Sequence, residues 1–326
     1  MKKHSCLVCQ SKEYETVYTL REDPYLRRLG LQTTPVSKVL CRECGLIYSQ
    51  PQLEESELKQ LYASLRQSDM PAEEHLWWKE RQAQEDFEWV RPYLGARGSV
   101  LDIGCSEGSF LRMFQKHGWQ PCGIEPSSFG RFGRARYGLD VREGLFEEID
   151  LDEHSFDLVA ALRVLEHIAN PREFLSRIDS LLKQEGLLYL EVPNVWNPRH
   201  HLREFLGAQH LRLFSKETLL LFLAQMGFEP VAVDDSKRSL RVLFKRSQKE
   251  SLLLECPPPR RRLEAHQLRR VWQGYRLKYF WGVTLKGRLR QGMDRILGPT
   301  LARGSVREAK RLFRALVGSR VRKHSP

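Results

Sequence analysis

The stretch Val100-Leu-Asp-Ile-Gly-Cys-Ser-Glu-Gly-Ser-Phe110 decides the fold that this sequence predicts. Two apolar residues lead to Asp102, as in a buried parallel strand, and Gly104 and Gly108 permit a tight turn. Helical spacing of apolar residues begins at Ser109. We therefore expect a strand, a glycine turn and the first turn of a helix, whose exposed N–H groups can bind a carboxylate or a phosphate.

A second short strand follows and ends in an acidic residue. Cys122-Gly-Ile-Glu125 places Glu125 23 residues after Asp102, a separation at which an acid on the neighbouring strand can bind a ribose diol. Together the two features predict a site for a nucleoside-type cofactor. Strands and helices then alternate up to Phe244, which predicts an α/β fold with a doubly wound, mostly parallel sheet and ligands at the carboxyl ends of its strands.

The order and spacing of five segments resemble the class I S-adenosylmethionine-dependent methyltransferases. The resemblance covers about residues 76–246 and implies the Rossmann-like, seven-stranded sheet of that family, with the domain itself at 96–246. Ser106 departs from the family pattern by replacing its middle glycine, and Leu145 stands where an acid often meets the adenine amine. The segments are VLDIGCSEGSF, GIEPS, SFDLVAALRVLEHIANP, GLLYLEVPN and HLRLFSKETLLLFLAQMGFEPV.

The resemblance also implies which residues bind the cofactor. The first motif would face its methionine part, Glu125 would bind both ribose hydroxyls, and Leu145 and Phe146 would meet the adenine. The predicted cofactor-binding residues are Asp102, Gly104, Cys105, Gly108, Glu125, Pro126, Leu145, Phe146, Leu162 and Arg163. Since this cofactor brings a reactive methyl group, the protein needs only to align an acceptor and to handle one proton.

The candidate for handling that proton is His167 in the sequence Leu-Glu-His-Ile. Imidazole has an unperturbed pKa of about 6.5, which suits a general base at neutral pH; the alternative is a structural His167 that only packs in its turn. Glu166 could orient it or bind the acceptor. In the sugar C-methyltransferases, which this region resembles, the histidine of such a pair is a proposed base, and His210 and Asn194 match positions that line the acceptor pocket.

Four of the seven cysteines form two pairs, Cys6-x-x-Cys9 and Cys41-x-x-Cys44. Two such pairs can supply four thiolates to one Zn²⁺, which closes a small ribbon and leaves no open position for catalysis. Disulfides or a redox motif are the alternatives, but a reducing cytosol disfavours the first and the duplication of the pair disfavours the second. The second pair also resembles the zinc-binding module that precedes the domain in sugar C-methyltransferases. We therefore expect structural zinc in residues 1–52.

Residues 53–95 are predicted to form a helical linker. Its second helix, over Glu73–Leu94, is rich in aromatic residues, most of which would pack on the sheet. His75, Trp77 and Trp78 stand at the entry to the domain, where a helix could cover the cofactor. The linker is thus also a predicted cofactor lid.

The positive charge of the chain lies in its last part. Residues 237–326 hold 25 of the 53 Lys and Arg but 5 of the 41 Asp and Glu, which gives +20 for this segment and −8 for the rest. The extension 247–326 begins with a stiff Pro-Arg linker and predicts two basic amphipathic helices, Leu263–Phe280 and Ser305–Val317. Such helices could dock on the protein itself, on an anionic membrane or on nucleic acid.

Three classes of function follow from these patterns. The first is methyl transfer to a small-molecule or glycan acceptor such as a nucleotide-linked sugar; a quinone or phenol O-methyltransferase is its alternative, because Leu-Glu-His-Ile is shared with quinone O-methyltransferases. The second is a nucleic-acid-binding protein, which the absence of the Asn-Pro-Pro-Tyr type motif of base N-methyltransferases disfavours. The third is a non-catalytic fold with a decayed site, which rests only on Ser106 and Leu145.

The sequence also predicts where the protein works. It contains no run of 18 apolar residues and no signal-peptide core at its start, so a cytoplasmic location is expected. The basic extension adds the expectation of peripheral contact with anionic lipid at the inner face of the membrane.

Overall fold

The structure is a computed structural model that describes residues 3–23, 26–27, 35–65, 73–198, 202–236, 239–247 and 265–279. Its strands are β1 (Tyr14–Leu20), β2 (Val36–Cys41), β3 (Ile47–Gln50), β4 (Ser99–Ile103), β5 (Gln120–Glu125), β6 (Asp140–Glu143), β7 (Phe156–Leu162), β8 (Leu182–Pro193), β9 (Arg212–Leu213), β10 (Phe228–Asp234) and β11 (Ser239–Arg246). Its α-helices are α1 (Glu55–Leu65), α2 (Glu73–Val90), α3 (Ser109–Lys116), α4 (Phe129–Tyr137), α5 (Pro171–Leu181), α6 (Leu202–Phe205), α7 (Lys216–Gln225) and α8 (Ala265–Tyr279).

Two expectations about the extension have different outcomes. The helix predicted over Leu263–Phe280 is present as α8, whereas the one predicted over Ser305–Val317 lies outside the described residues. None of the helices in the described ranges has the length and apolar character that crossing a bilayer requires.

The central sheet has seven strands in the order β10-β11-β8-β7-β4-β5-β6. The five strands from β8 to β6 are parallel, and β10 and β11 form an antiparallel hairpin at one edge, as expected for a mostly parallel sheet. Successive residues of β7 alternate between two apolar cores because side chains in a strand point to opposite faces. Leu158 and Ala160 pack with α2 and α3, whereas Val159 and Ala161 pack with α5 and α7.

The turn after β4 has the backbone that its glycines suggest. Gly104 and Gly108 have φ angles of +74° and +80°. A Cβ on Gly104 would lie 2.7 Å from the side chain of Val164, so only glycine fits there. Ser106, which departs from the family pattern, has a φ of +52°. This left-handed backbone explains why the family has glycine at the position of Ser106. Serine adopts the same conformation at a cost of about 1 kcal/mol.

A second sheet has four strands in the order β1-β2-β3-β9. Three of its strands come from the first 50 residues, but β9 comes from far along the chain and pairs antiparallel with β3 (Ile47 with Leu213, Tyr48 with Arg212). Residues 1–52 are predicted as a separate unit, and we call them the N-terminal module. This module thus shares its sheet with the later part of the chain.

Candidate active site and four-cysteine cluster

Two adjoining cavities lie at the carboxyl ends of the parallel strands. The larger has a volume of about 440 Å³ and the smaller of about 90 Å³, and Gly104 and Arg163 line both. The predicted site residues that line the larger cavity are Gly104, Pro126, Leu145, Phe146, Arg163 and His167. Those that line the smaller cavity are Asp102, Gly104, Cys105, Leu162 and Arg163. The structure therefore brings most of the predicted site together around the turn after β4.

Five predicted residues line neither cavity: Gly108, Glu125, Glu166, Asn194 and His210. Glu125 is buried at the end of β5, where its Oε2 accepts a hydrogen bond from the amide of Ser106 and its Oε1 one from the amide of Ser127, both at 2.8 Å. These bonds fix the carboxylate beside the glycine turn. Each carboxylate oxygen has a second lone pair, which could accept a hydrogen bond from a ribose hydroxyl. Ribose binding by Glu125 stays a prediction.

The smaller cavity contains an unpaired buried carboxylate. Asp102 Oδ1 has no hydrogen-bond partner among the described residues. Burial, together with the neighbouring Glu125 and Glu107 carboxylates, raises the pKa of Asp102 well above its ordinary value. The charged side chains on the cavity wall are Asp86, Asp102, Glu107, Glu191, Lys79 and Arg163. Because an unsatisfied buried polar group is unfavourable until a partner binds it, this cavity suits a ligand with a cationic donor such as an ammonium group.

His167 lies on the wall of the larger cavity, just after β7. Its Nδ1 is 2.9 Å from the carbonyl oxygen of Gln209, which can only accept, so Nδ1 donates and the neutral ring carries its lone pair on Nε2. Burial, with the nearby cations of Lys38 and Arg163, lowers the pKa of His167 to about 4. The ring is therefore neutral at pH 7, and it is a weaker base than a free imidazole.

Glu166 and His210 lie behind His167. The rings of His167 and His210 are 4.8 Å apart between centroids, and His210 Nδ1 donates to the carbonyl oxygen of Phe205 at 2.8 Å. Glu166 Oε1 is 3.9 Å from His167 Nε2, and its Oε2 has no partner within the described part of the chain. Burial raises the pKa of Glu166 to about 8. Both residues thus contact the site through His167.

Replacing Glu166 by glutamine is expected to stabilise the protein more as the pH rises. The unfolded chain loses this proton near pH 4.5 but the folded chain holds it to about pH 8, so the wild type loses stability across that window. Glutamine does not titrate, so its advantage in free energy of unfolding should grow by about 2–4 kcal/mol between pH 5 and pH 8. Urea unfolding at both pH values measures it, with exposed Glu173→Gln as the control; a difference independent of pH would contradict it.

Both helices of the linker line the cavities, but through residues other than those that the sequence predicts to cover the cofactor. Glu55, Leu58 and Lys59 of α1 line the larger cavity, and Lys79, Gln82, Ala83 and Asp86 of α2 line the smaller one. The predicted covering residues Trp77 and Trp78 line neither; they are 62% and 40% exposed. The helix does reach the cofactor motif, but through residues that follow the two tryptophans along the helix, from Lys79 to Asp86. Nothing in the local sequence distinguishes these residues, because they are polar or small.

The four predicted zinc ligands form one cluster. Their Sγ atoms all lie within 4.8 Å of one another, with Cys6 3.4 Å from Cys44 and Cys9 3.4 Å from Cys41, and all four are free thiols. A tetrahedral Zn²⁺ with bonds of about 2.3 Å separates its sulfur ligands by about 3.8 Å. The cluster therefore has the ligand type, number and spacing that fit a structural zinc ion.

Comparison with known proteins identifies the part of the chain that holds the cavities. Residues 73–233 match the family model described as a methyltransferase domain. This segment is a class I S-adenosylmethionine-dependent methyltransferase domain. The match begins at α2 and ends in β10, so it includes both helical and sheet walls of the smaller cavity. The predicted family and its cofactor are thereby confirmed for this domain.

Curated relatives resemble only part of the chain. An enzyme named ubiquinone biosynthesis O-methyltransferase from Rhodopseudomonas palustris is 35% identical over 101 residues, which cover 29% of this chain and 40% of the relative. One of the same name from Roseobacter denitrificans is 27% identical over 164 residues, covering 45% and 65%. The chain thus spans less than two thirds of the length of these relatives.

Solved structures include distant neighbours. The 1,6-didemethyltoxoflavin-N1-methyltransferase of Burkholderia thailandensis is 20% identical, with 65% of this chain and 95% of that chain covered and a TM-score of 0.47. An S-adenosylmethionine-dependent methyltransferase from Mesorhizobium loti is 17% identical, with 49% and 97% covered and a TM-score of 0.42.

Proposed function

We propose that this protein transfers a methyl group from S-adenosylmethionine to a hydroxyl group of a small aromatic acceptor, with His167 as the base. The observation that carries the proposal is a neutral histidine on the wall of the cavity that adjoins the cofactor motif. The relatives named for O-methylation in ubiquinone biosynthesis support a hydroxyl acceptor of the quinol or phenol type. They match this chain over part of their length, so the acceptor is our proposal for it.

The two cavities suit the two ends of the cofactor. Asp102 in the smaller cavity would bind the ammonium group of the methionine part, because it is the buried carboxylate that lacks a partner there. Leu145 and Phe146 in the larger cavity would contact the adenine. Glu125 would bind the ribose beside the turn at Gly104. The larger cavity then leaves the side near His167 for the acceptor.

The walls near His167 favour an apolar acceptor. Leu58, Val164, Ile168 and Phe174 line the larger cavity together with His167. An aromatic ring would bury apolar surface against these side chains, which contributes about 25 cal/mol per Å². The same cavity also has polar walls, at Glu55, Lys59, Arg163, Asn170 and Glu173, and these could bind the hydroxyl group of such an acceptor.

His167 would handle the proton of the acceptor. When bound, S-adenosylmethionine supplies an electrophilic methyl group. His167 would accept a hydrogen bond from the acceptor hydroxyl at Nε2 and take its proton, which makes the oxygen a better nucleophile. The carbonyl of Gln209 holds the ring through Nδ1 and stabilises the imidazolium that results. Because the ring starts neutral, this step is possible at pH 7.

A carbohydrate acceptor is the second candidate. The observation in its favour is the four-cysteine cluster, since the N-terminal module resembles the one found in sugar C-methyltransferases. We also propose that the cluster binds one structural Zn²⁺. With four thiolate ligands the ion would have no open position, so it would support the fold and take no part in methyl transfer.

Variants of the two predicted cofactor acids are expected to separate the ends of the cofactor. Asp102→Asn should weaken binding of S-adenosylmethionine by about 10–100-fold, because a charge-assisted hydrogen bond is lost. It should not weaken binding of methylthioadenosine, which lacks the amino-acid part. Glu125→Ala should weaken both ligands by about 1–3 kcal/mol. Calorimetry measures all four affinities, and equal effects of Asp102→Asn on both ligands would place the ammonium group elsewhere.

The acceptor is tested with purified protein and methyl-labelled S-adenosylmethionine. An alkyl-substituted catechol and a nucleotide-linked sugar serve as the two acceptors. We expect label on a catechol oxygen, at a rate that His167→Gln reduces. Label on the sugar alone would favour the second candidate, and failure to bind S-adenosylmethionine would reject both.

A further inference from the structure

The acceptor side of the site is held in place from the N-terminal module. Residues Gly207 to Leu211, which we call the His210 loop, provide the carbonyl of Gln209 that binds His167. The amide of Leu211 also donates to the carbonyl oxygen of Glu166 at 2.8 Å. The position of His167 therefore depends on this loop.

Two buried charges of the N-terminal module bind the loop. Lys38 is 1% exposed, and its Nζ donates to the carbonyl oxygens of Gly207 (2.9 Å) and His210 and to Ser49 Oγ (2.7 Å). Asp23 is 4% exposed, and its Oδ2 accepts from the amide of Ala208 at 2.7 Å. A cation thus meets two carbonyl groups and an anion meets an N–H group, which are the matching partners for each.

The strand pairing adds to this attachment. The amide of Ser49 donates to the carbonyl oxygen of Leu211 at 2.9 Å, and Ser49 Oγ donates to the carbonyl oxygen of His210 at 3.1 Å. The carbonyl group of His210 therefore receives two side-chain donors from β2 and β3. A fully buried lysine is rare unless its charge has partners. Here the ammonium group donates three hydrogen bonds, which satisfy all of its donors.

We infer that Lys38 is a positioning residue of the methyl-acceptor site, through which the N-terminal module holds the His210 loop and so orients His167. The inference rests on the proposed function, because it assumes that His167 acts on the acceptor. It gives the N-terminal module a role in the reaction beyond the fold. Lys38 itself touches neither cavity, so it acts through the loop.

The charge of Lys38 also acts on His167. The titratable and charged groups that face His167 are Glu166 and Arg163 from its own segment, His210 from the loop and Lys38 from the N-terminal module. The Lys38 cation is one of the causes that lower the pKa of His167. Removing this charge is therefore expected to raise the pKa of His167. Because burial is the largest cause of the lowered pKa, a variant that only loosens the module is needed as the control.

The test compares Lys38→Met with Val39→Ala in the full chain. Val39 is the next residue of β2, is 1% exposed and packs with Cys6 and Cys41, so its truncation weakens the module without removing a bond to the loop. For Lys38→Met we expect zinc content and S-adenosylmethionine affinity within twofold of wild type and kcat reduced at least tenfold. By NMR titration the pKa of His167 should rise above its wild-type value. Val39→Ala should change neither kcat nor this pKa.

Wild-type kcat and an unchanged His167 titration in Lys38→Met would overturn the inference. If that variant loses zinc, Asp23→Asn replaces it. Asparagine keeps an acceptor for Ala208 but removes the carboxylate that raises the pKa of Lys38, so the ammonium form of Lys38 is weakened; a lower kcat with zinc retained is then required. The titration needs no acceptor, so it decides the role of Lys38 even if the catechol assay fails. A shifted His167 titration without catechol methylation would support the inferred role of Lys38 and reject the proposed acceptor.

Discussion

His167→Gln is expected to reduce kcat for methyl transfer by about 10²–10⁴-fold, the usual loss when a general base is removed. Affinity for S-adenosylmethionine should stay within about twofold, since most of the predicted cofactor contacts lie at the ends of β4, β5 and β6 and not at the end of β7. Glutamine can replace the Nδ1–H donor to the carbonyl of Gln209 but has no group that accepts a proton at neutral pH. Steady-state kinetics with the methylated product as the readout, together with calorimetry, give both quantities.

The matched control is His117→Gln. His117 Nδ1 likewise bonds a backbone carbonyl, that of Met113 at 2.7 Å, but the residue lines neither cavity. It should keep wild-type kcat. A second readout is the pH profile of kcat/KM: with the pKa of His167 lowered to about 4, the acid limb should lie below pH 5 rather than near 6.5. Full activity of His167→Gln would assign the proton to another group.

Cys41→Ser is expected to release the zinc ion and unfold the N-terminal module. Structural zinc bound by four ligands contributes about 10–16 kcal/mol of apparent free energy to small sites, and the hydroxyl of serine is a poor replacement for a thiolate ligand. The zinc content measured by elemental analysis should fall from about one zinc per chain to near zero. Since the module holds the His210 loop, methyl transfer should be lost with the metal while the seven-stranded sheet persists.

Cys122→Ser is the control for this loss. Cys122 is also a buried free thiol but lies in β5, outside the four-cysteine cluster. The Cys122→Ser protein should retain the zinc content of the wild type. A Cys41→Ser protein that retains one zinc and a protease-resistant N-terminus would show that the cluster is not the metal site.

Local sequence predicts those elements that neighbouring residues determine. The sequence predicts strands over Gln120–Glu125 and Phe156–Leu162, which are the bounds of β5 and β7 in the structure, because neighbouring residues define both strands. The sequence predicts a helix over Phe214–Met226; α7 begins two residues later, at Lys216, because Ser215 caps it by accepting from the amide of Thr218. β8 is longer at both ends than the predicted Gly186–Val192, because Leu182 pairs with Phe156 and Pro193 with Ser239. Partners on other strands set those limits.

The same distinction separates the parts of the site. The turn at Gly104 and the wall at Leu145 follow from a motif of contiguous residues, so the sequence locates them. Lys38 lies on a strand of alternating character, where a solvent-facing lysine is the expected reading. Its burial depends on carbonyl groups about 170 residues away. The side chains of α1 on the larger cavity were likewise beyond prediction, since the way a helix crosses a site depends on tertiary packing.

The pairing of β3 with β9 has a consequence for synthesis on the ribosome. The four cysteines and β1 to β3 are complete once residue 50 has been made, so the nascent segment already has all four ligands of the proposed zinc site. The strand that closes its sheet is made roughly 160 residues later, a delay of about 8–30 s at about 5–20 residues per second. During that interval β3 presents an open edge, and open edges pair with other chains. We therefore expect the first 50 residues to have an unpaired strand edge until β9 has been made, so slower translation of the middle of the chain should increase aggregation.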